Sequence, residues 1–173
     1  QTELRDGIRV VRVRTFISRN EGIALRTLDF VSFMIAAVAA GLFERRPDVV
    51  CATSPQFFAA VGGWMLAAAR RRPFVFELGD LWPASIVAVG AMKPSRALRL
   101  VEKLELFLYR RSAAVAALTQ AFRENLIRRG IAPEKIRVVR NGVDAARYGA
   151  RERNAALAAE FGLTGKFVVG YIG

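Results

Sequence analysis

Six short apolar runs alternate with longer helical runs along this chain, and that alternation constrains the fold more than any other feature. The pattern predicts strands at Ile8 to Val13, Asp48 to Thr53, Phe74 to Leu78, Ala113 to Leu118, Ile136 to Val139 and Phe167 to Ile172. Helices are predicted from about Ala24 to Arg45, Gln56 to Arg71, Ser95 to Arg111 and Gln120 to Arg129, with a short one from Arg151 to Phe161. Ser54-Pro55 reads as a helix opening with a capping hydroxyl, and Gly130 as a C-terminal stop. The first strand differs: Asp6-Gly7 precedes it as a turn, and Arg9, Arg12 and Arg14 break its apolar run, which predicts a sheet edge. The fold class is therefore α/β, a Rossmann-like parallel sheet flanked by helices.

Such sheets place ligands outside the carboxyl ends of their strands. Those ends are Thr53-Ser54, Gly79-Asp80, Thr119 and Arg140-Asn141-Gly142, so polar groups from four strands gather at one edge. Ser54 and Thr119 can also serve as helix caps. Asp80, a carboxylate just past a buried strand, is a candidate general base, or else a cap for the turn at Leu81-Trp82-Pro83. Glu77 lies within its strand and calls for a cationic partner or the crevice, because a buried lone carboxylate is costly. Trp82 is either a stacking platform for a sugar or a packing anchor. Asn141-Gly142-Val143-Asp144 is a turn, with Gly142 free to take positive φ.

The chain has 173 residues, enough for one ordinary domain burying about 70% of its surface. Its net charge of +12, from 27 basic and 15 acidic residues, favours anionic partners. Nucleic acid is the weaker choice, because Arg45-Arg46, Arg70-Arg71-Arg72, Arg110-Arg111 and Arg128-Arg129 fall at helix ends where they complement the helix dipole. Cys51 alone excludes a disulfide framework and reads as a buried thiol in a reducing compartment, the cytoplasm; zero His excludes a Cys/His metal site. The run Leu28 to Phe43 holds one charge, Asp29, and reads as a crossover helix buried on the sheet in preference to a membrane span. In Ser95 to Arg111 the residues Leu98, Val101, Leu104, Phe107 and Leu108 form one face and Arg96, Arg99, Lys103 and Arg110 take much of the rest. That helix packs on the core or lies on an anionic membrane, at the inner face of the plasma membrane.

Asp80-Leu81-Trp82-Pro83 and Asn141-Gly142-Val143-Asp144, with Leu118-Thr119 between them, resemble motifs of the bacterial family 4 glycosyltransferases of GT-B fold that build surface polysaccharides and lipid-linked precursors. The resemblance covers nearly the whole chain. It implies an acceptor-side domain over 1–140, lacking its N-terminal part, and over 141–173 a linker and the start of a nucleotide-sugar-binding domain. It implies a nucleotide-sugar donor, a glycan or lipid-linked acceptor, retention of configuration, and no metal or other cofactor. Ser54, Glu77, Gly79, Trp82 and Thr119 would then handle the acceptor, with Asp80 catalytic. Arg140, Asn141, Gly142, Asp144 and Gly173 would serve the donor or the hinge. Relatives often carry His or Arg before this Asp, and Gly79 departs from both. The paired glutamates used around the donor sugar lie beyond Gly173, so the fragment alone is expected to be inactive. A dinucleotide oxidoreductase would need Gly-x-Gly-x-x-Gly after a strand, and Val61-Gly62-Gly63 falls in a helix. The remaining alternative is a non-catalytic basic module that binds membrane or nucleic acid.

Overall fold

A computed structural model describes residues 1–17, 22–54, 56–81, 95–149 and 152–170. They divide into two compact units, Gln1–Arg140 and Asn141–Gly173.

The first unit opens with a hairpin of β1 (Thr2–Arg5) and β2 (Ile8–Val11), antiparallel, with Thr2 opposite Val11 and Arg5 opposite Ile8. Asp6 and Gly7 have φ of 49° and 80°, the doubly positive turn whose twist matches a two-residue hairpin. The first predicted strand is thus half of a separate two-stranded sheet and not an edge of the main one. Its arginines make surface pairs, Arg12 to Glu3 at 2.6 Å and Arg9 to Glu44 at 3.1 Å.

The main sheet is parallel and ordered β3 (Val50–Ser54), β4 (Phe74–Leu78), β5 (Ala114–Ala117), β6 (Ile136–Val138). Between consecutive strands run α2 (Phe57–Arg70), α3 (Arg96–Arg111) and α4 (Gln120–Arg128), with a 3₁₀ turn at Pro133–Lys135 before β6. The core lies under these helices. Phe74, Phe76 and Leu78 of β4, Val115 and Ala117 of β5, and Ile136 are buried there with Leu108, Tyr109 and Leu126. Phe76 meets Tyr109 edge to face at 4.8 Å, and Trp64 meets Phe107 at 5.1 Å. Gly63 lets α2 sit directly on the sheet: a Cβ there would lie 2.5 Å from the Ala52 Cβ.

Side chains of opposite parity lie on the other face of the sheet, where Cys51, Thr53, Glu77 and Arg137 are exposed. This corrects the reading of Cys51 as a buried thiol. A continuous apolar run suggests burial on both faces, but strand period 2 sends Cys51 to the face opposite Val50. Partial burial and the Glu77 carboxylate still push its thiol up from the ordinary value.

Helix α1 (Ile23–Phe43) also departs from expectation. It packs on α2, where Phe30 faces Phe58 at 6.5 Å and Gly62 approaches Met34 and Val38. Leu28, Ile35 and Leu42 on the outer side are exposed. No part of Ala24–Phe43 is fully buried, and by length and composition this helix could cross a membrane. Its C-terminal carbonyls are taken by the Arg70 guanidinium, which donates to Gly41 O at 3.2 Å and to Glu44 O.

In α3 the buried residues are Glu105, Leu108 and Tyr109, while Leu104 is exposed. Of the predicted apolar face, Leu108 is buried, Val101 and Phe107 pack against the core and Leu98 is half-buried, so only Leu104 departs from it. The buried face also extends to a carboxylate: Glu105, 2% exposed, accepts from the Tyr109 hydroxyl at 2.7 Å and from Arg129 Nη2 at 2.7 Å. Burial raises the Glu105 pKa, and the bonds from Tyr109 and Arg129 only partly oppose that. The Tyr109 hydroxyl is raised too, first by burial and then by Glu105. This network ties α3 to the end of α4, where Gly130 takes φ of 80° as the helix stop.

The second unit contains α5 (Ala155–Glu160), with Asn154 Oδ1 accepting from Leu157 N at 3.0 Å. The predicted strand from Phe167 is not formed in its described part, 167–170, where Phe167 and Val169 are exposed. A strand needs a ladder partner, and none of the described residues supplies one.

Candidate functional site

The carboxyl ends of the four parallel strands bring the sequence-predicted groups into a row. Ser54 ends β3 as a buried residue, and its hydroxyl donates to Asp80 O at 3.3 Å while lying 3.5 Å from Asp80 N. It does not cap α2, which begins at Phe57 with Gln56 Oε1 accepting from Phe58 N. Pro55 lies outside the described residues. The Ser54 hydroxyl is thus spent on the turn that carries Asp80, a second-strand contact that spacing alone could not reveal.

Gly79 is required by that same approach. A Cβ built there would lie 2.9 Å from the Ser54 carbonyl oxygen, inside normal contact, so no larger residue fits without moving the two strand ends apart. The Gly in place of a charged residue is therefore a packing requirement of this turn. Asp80 follows, half-buried at the strand end.

On the other side, Leu118 N donates to Leu78 O at 3.1 Å, which sets Leu118-Thr119 beside Leu78-Gly79. Thr119 Oγ1 accepts from Phe122 N at 3.1 Å and is the N-cap of α4. Val139 N donates to Ala117 O at 2.9 Å and continues the row to exposed Arg140. Trp82 and Gly173 lie outside the described residues.

Glu77 is not at this edge. It projects from the sheet face opposite Phe76 and Leu78, which no described element covers, and is exposed, with Thr53 opposite it on β3 and Ala116 on β5. Exposure removes the need for a buried partner, and its acceptor-handling assignment has no support from position. With Phe33, Met34, Val38, Cys51 and Thr53 it borders a largely apolar cavity of about 490 Å³ beside β3, apart from Ser54, Gly79, Asp80 and Thr119.

Asn141, Gly142 and Asp144 belong to the second unit and are exposed. Gly142 does not use its conformational freedom, since it is absent from the positive-φ glycines and has open space around it. Asp144 caps a turn instead, with Oδ1 accepting from Ala146 N at 3.0 Å.

Residues 1–142 match the family described as Glycosyl transferase 4-like domain. The chain belongs to that family. Comparison with curated proteins gave no match. The glycosyl transferase 4-like region spans the hairpin, all four parallel strands and the edge that carries Asp80, so glycosyltransferase chemistry is the frame for this row of residues.

Proposed function

We propose that this domain handles the acceptor in transfer of a sugar from a nucleotide-sugar donor to a polysaccharide or lipid-linked acceptor in cell-surface glycan synthesis, on the cytoplasmic side. The observation that carries this reading is the juxtaposition of Ser54, Gly79, Asp80 and Thr119 at one sheet edge within a glycosyl transferase 4-like region. In the proposed step the acceptor oxygen bonds to the anomeric carbon, with retention, as the bond from that carbon to the diphosphate oxygen breaks. The departing nucleoside diphosphate keeps the electron pair. The acceptor's proton passes to the Asp80 carboxylate.

Ser54 holds the backbone of Asp80, so the carboxylate is positioned by two strands and not by a loop alone. Release of UDP or GDP from nucleotide sugars by the protein bearing this chain tests the proposal. The expected result is release that rises with added lipid-linked sugar and saturates. Release at the same rate with and without such acceptors contradicts an acceptor-handling role.

A further inference from the structure

Most of the basic pairs sit where a helix welcomes them. Arg70, Arg110, Arg111 and Arg128 lie in the last turns of α2, α3 and α4, near the negative ends of the helix dipoles. The other end of α3 breaks that rule. Arg96 and Arg99 occupy its opening turns, the first turn holds no acidic residue, and Lys103 follows one turn later. Cations at the positive end of a helix dipole are unfavourable. The side chains of Arg96, Arg99 and Lys103 make no ion pair or hydrogen bond among the described residues, and all three residues are exposed.

Spacings of three and four residues put these cations on one face of the helix. Leu100 lies among them, 69% exposed, and together the four residues line a shallow depression; Leu104, a turn further along, is 37% exposed. We infer that this face of α3 docks on an anionic lipid bilayer, with Arg96, Arg99 and Lys103 at the headgroup level and Leu100 entering the acyl boundary. Charge complementarity names the partner's sign, and an exposed leucine ringed by cations selects lipid over a nucleic-acid backbone.

The location bears on the chemistry. Ala113 N donates to Phe74 O, so α3 ends at the amino edge of the sheet and begins toward its carboxyl edge, the edge that carries Asp80. A bilayer against these first turns would offer lipid-borne hydroxyls on the side of the acceptor-handling residues. That last step rests on the transfer reading, whereas the docking does not.

Co-sedimentation of the full chain with phosphatidylglycerol and with phosphatidylcholine vesicles is the test. The docking predicts binding to the anionic vesicles alone at low salt. An unfavourable change of about fivefold is expected for each well-placed cation removed, so the triple variant Arg96→Gln, Arg99→Gln, Lys103→Gln should lose roughly a hundredfold. The control triple Arg110→Gln, Arg111→Gln, Arg128→Gln removes the same charge from helix C-termini and should lose far less. Leu100→Ser should weaken vesicle binding severalfold without changing attraction to a DNA duplex. Equal losses in the two triple variants would reduce the effect to diffuse net charge and overturn the proposal. So would equal binding to neutral vesicles, or an unaltered affinity in Leu100→Ser.

Discussion

Asp80→Asn lowers sugar transfer by at least about a hundredfold in the protein that contains this chain, with little change in KM for the nucleotide sugar. The expectation follows from shape and chemistry together. Asparagine has the same outline, and the turn it would occupy is held through backbone groups by the Ser54 hydroxyl and by the close approach that only Gly79 allows. The amide therefore remains in place but cannot accept the acceptor's proton. Loss of the proton-accepting group alone should lower turnover and leave donor binding intact. Steady-state rates with donor and acceptor varied in turn check this, and near-normal turnover would remove Asp80 from the chemistry.

Arg129→Ala should destabilise the fold by about 3 kcal/mol, because it leaves the Glu105 carboxylate buried with only the Tyr109 hydroxyl as a partner. The exposed pair of Arg12 with Glu3 should contribute under about 1 kcal/mol. Urea unfolding of the two variants measures the difference, and equal midpoints would contradict the account. The pH dependence has a definite sign. Burial raises the Glu105 pKa in the folded state, so between the unfolded and folded values the native protein binds the extra proton. Its contribution to stability is thus present at low pH and is lost as pH rises through the folded value. Glu105→Gln, which keeps an oxygen acceptor but does not ionise, should gain stability relative to the unaltered chain over that rise.

Much of the parallel sheet was legible because β3, β4 and β5 are apolar runs each with a helical run after it and β6 follows the last of those helices, and short runs alternating with helices leave few alternatives. The row at the carboxyl edge followed from that topology: Asp80 and Thr119 fall at strand ends in any version of it. What stayed hidden depends on which neighbours exist. Cys51 sits in an apolar run yet is exposed, because no described element covers its face of the sheet. Apolar composition said that α1 would pack, but not that it would pack on α2. Glu105 was overlooked inside a helix counted as amphipathic, since its partner Arg129 lies 24 positions away and only tertiary structure pairs them. The role of Gly79 was also invisible, because the atom that excludes a side chain there belongs to Ser54 on the next strand.

If acceptor chemistry occurs at the edge formed by Ser54, Gly79, Asp80 and Thr119, as proposed, hydrogen exchange on the protein bearing this chain, with and without a lipid-linked sugar, reports it there. Slowed exchange is expected at the backbone amides of Gly79 and Asp80 and of Leu118 and Thr119, with little change at Cys51 and Glu77, whose face of the sheet no described element covers. Protection confined to that open face, or to the cavity beside β3, while the strand ends exchange as before would place the acceptor elsewhere and contradict the account.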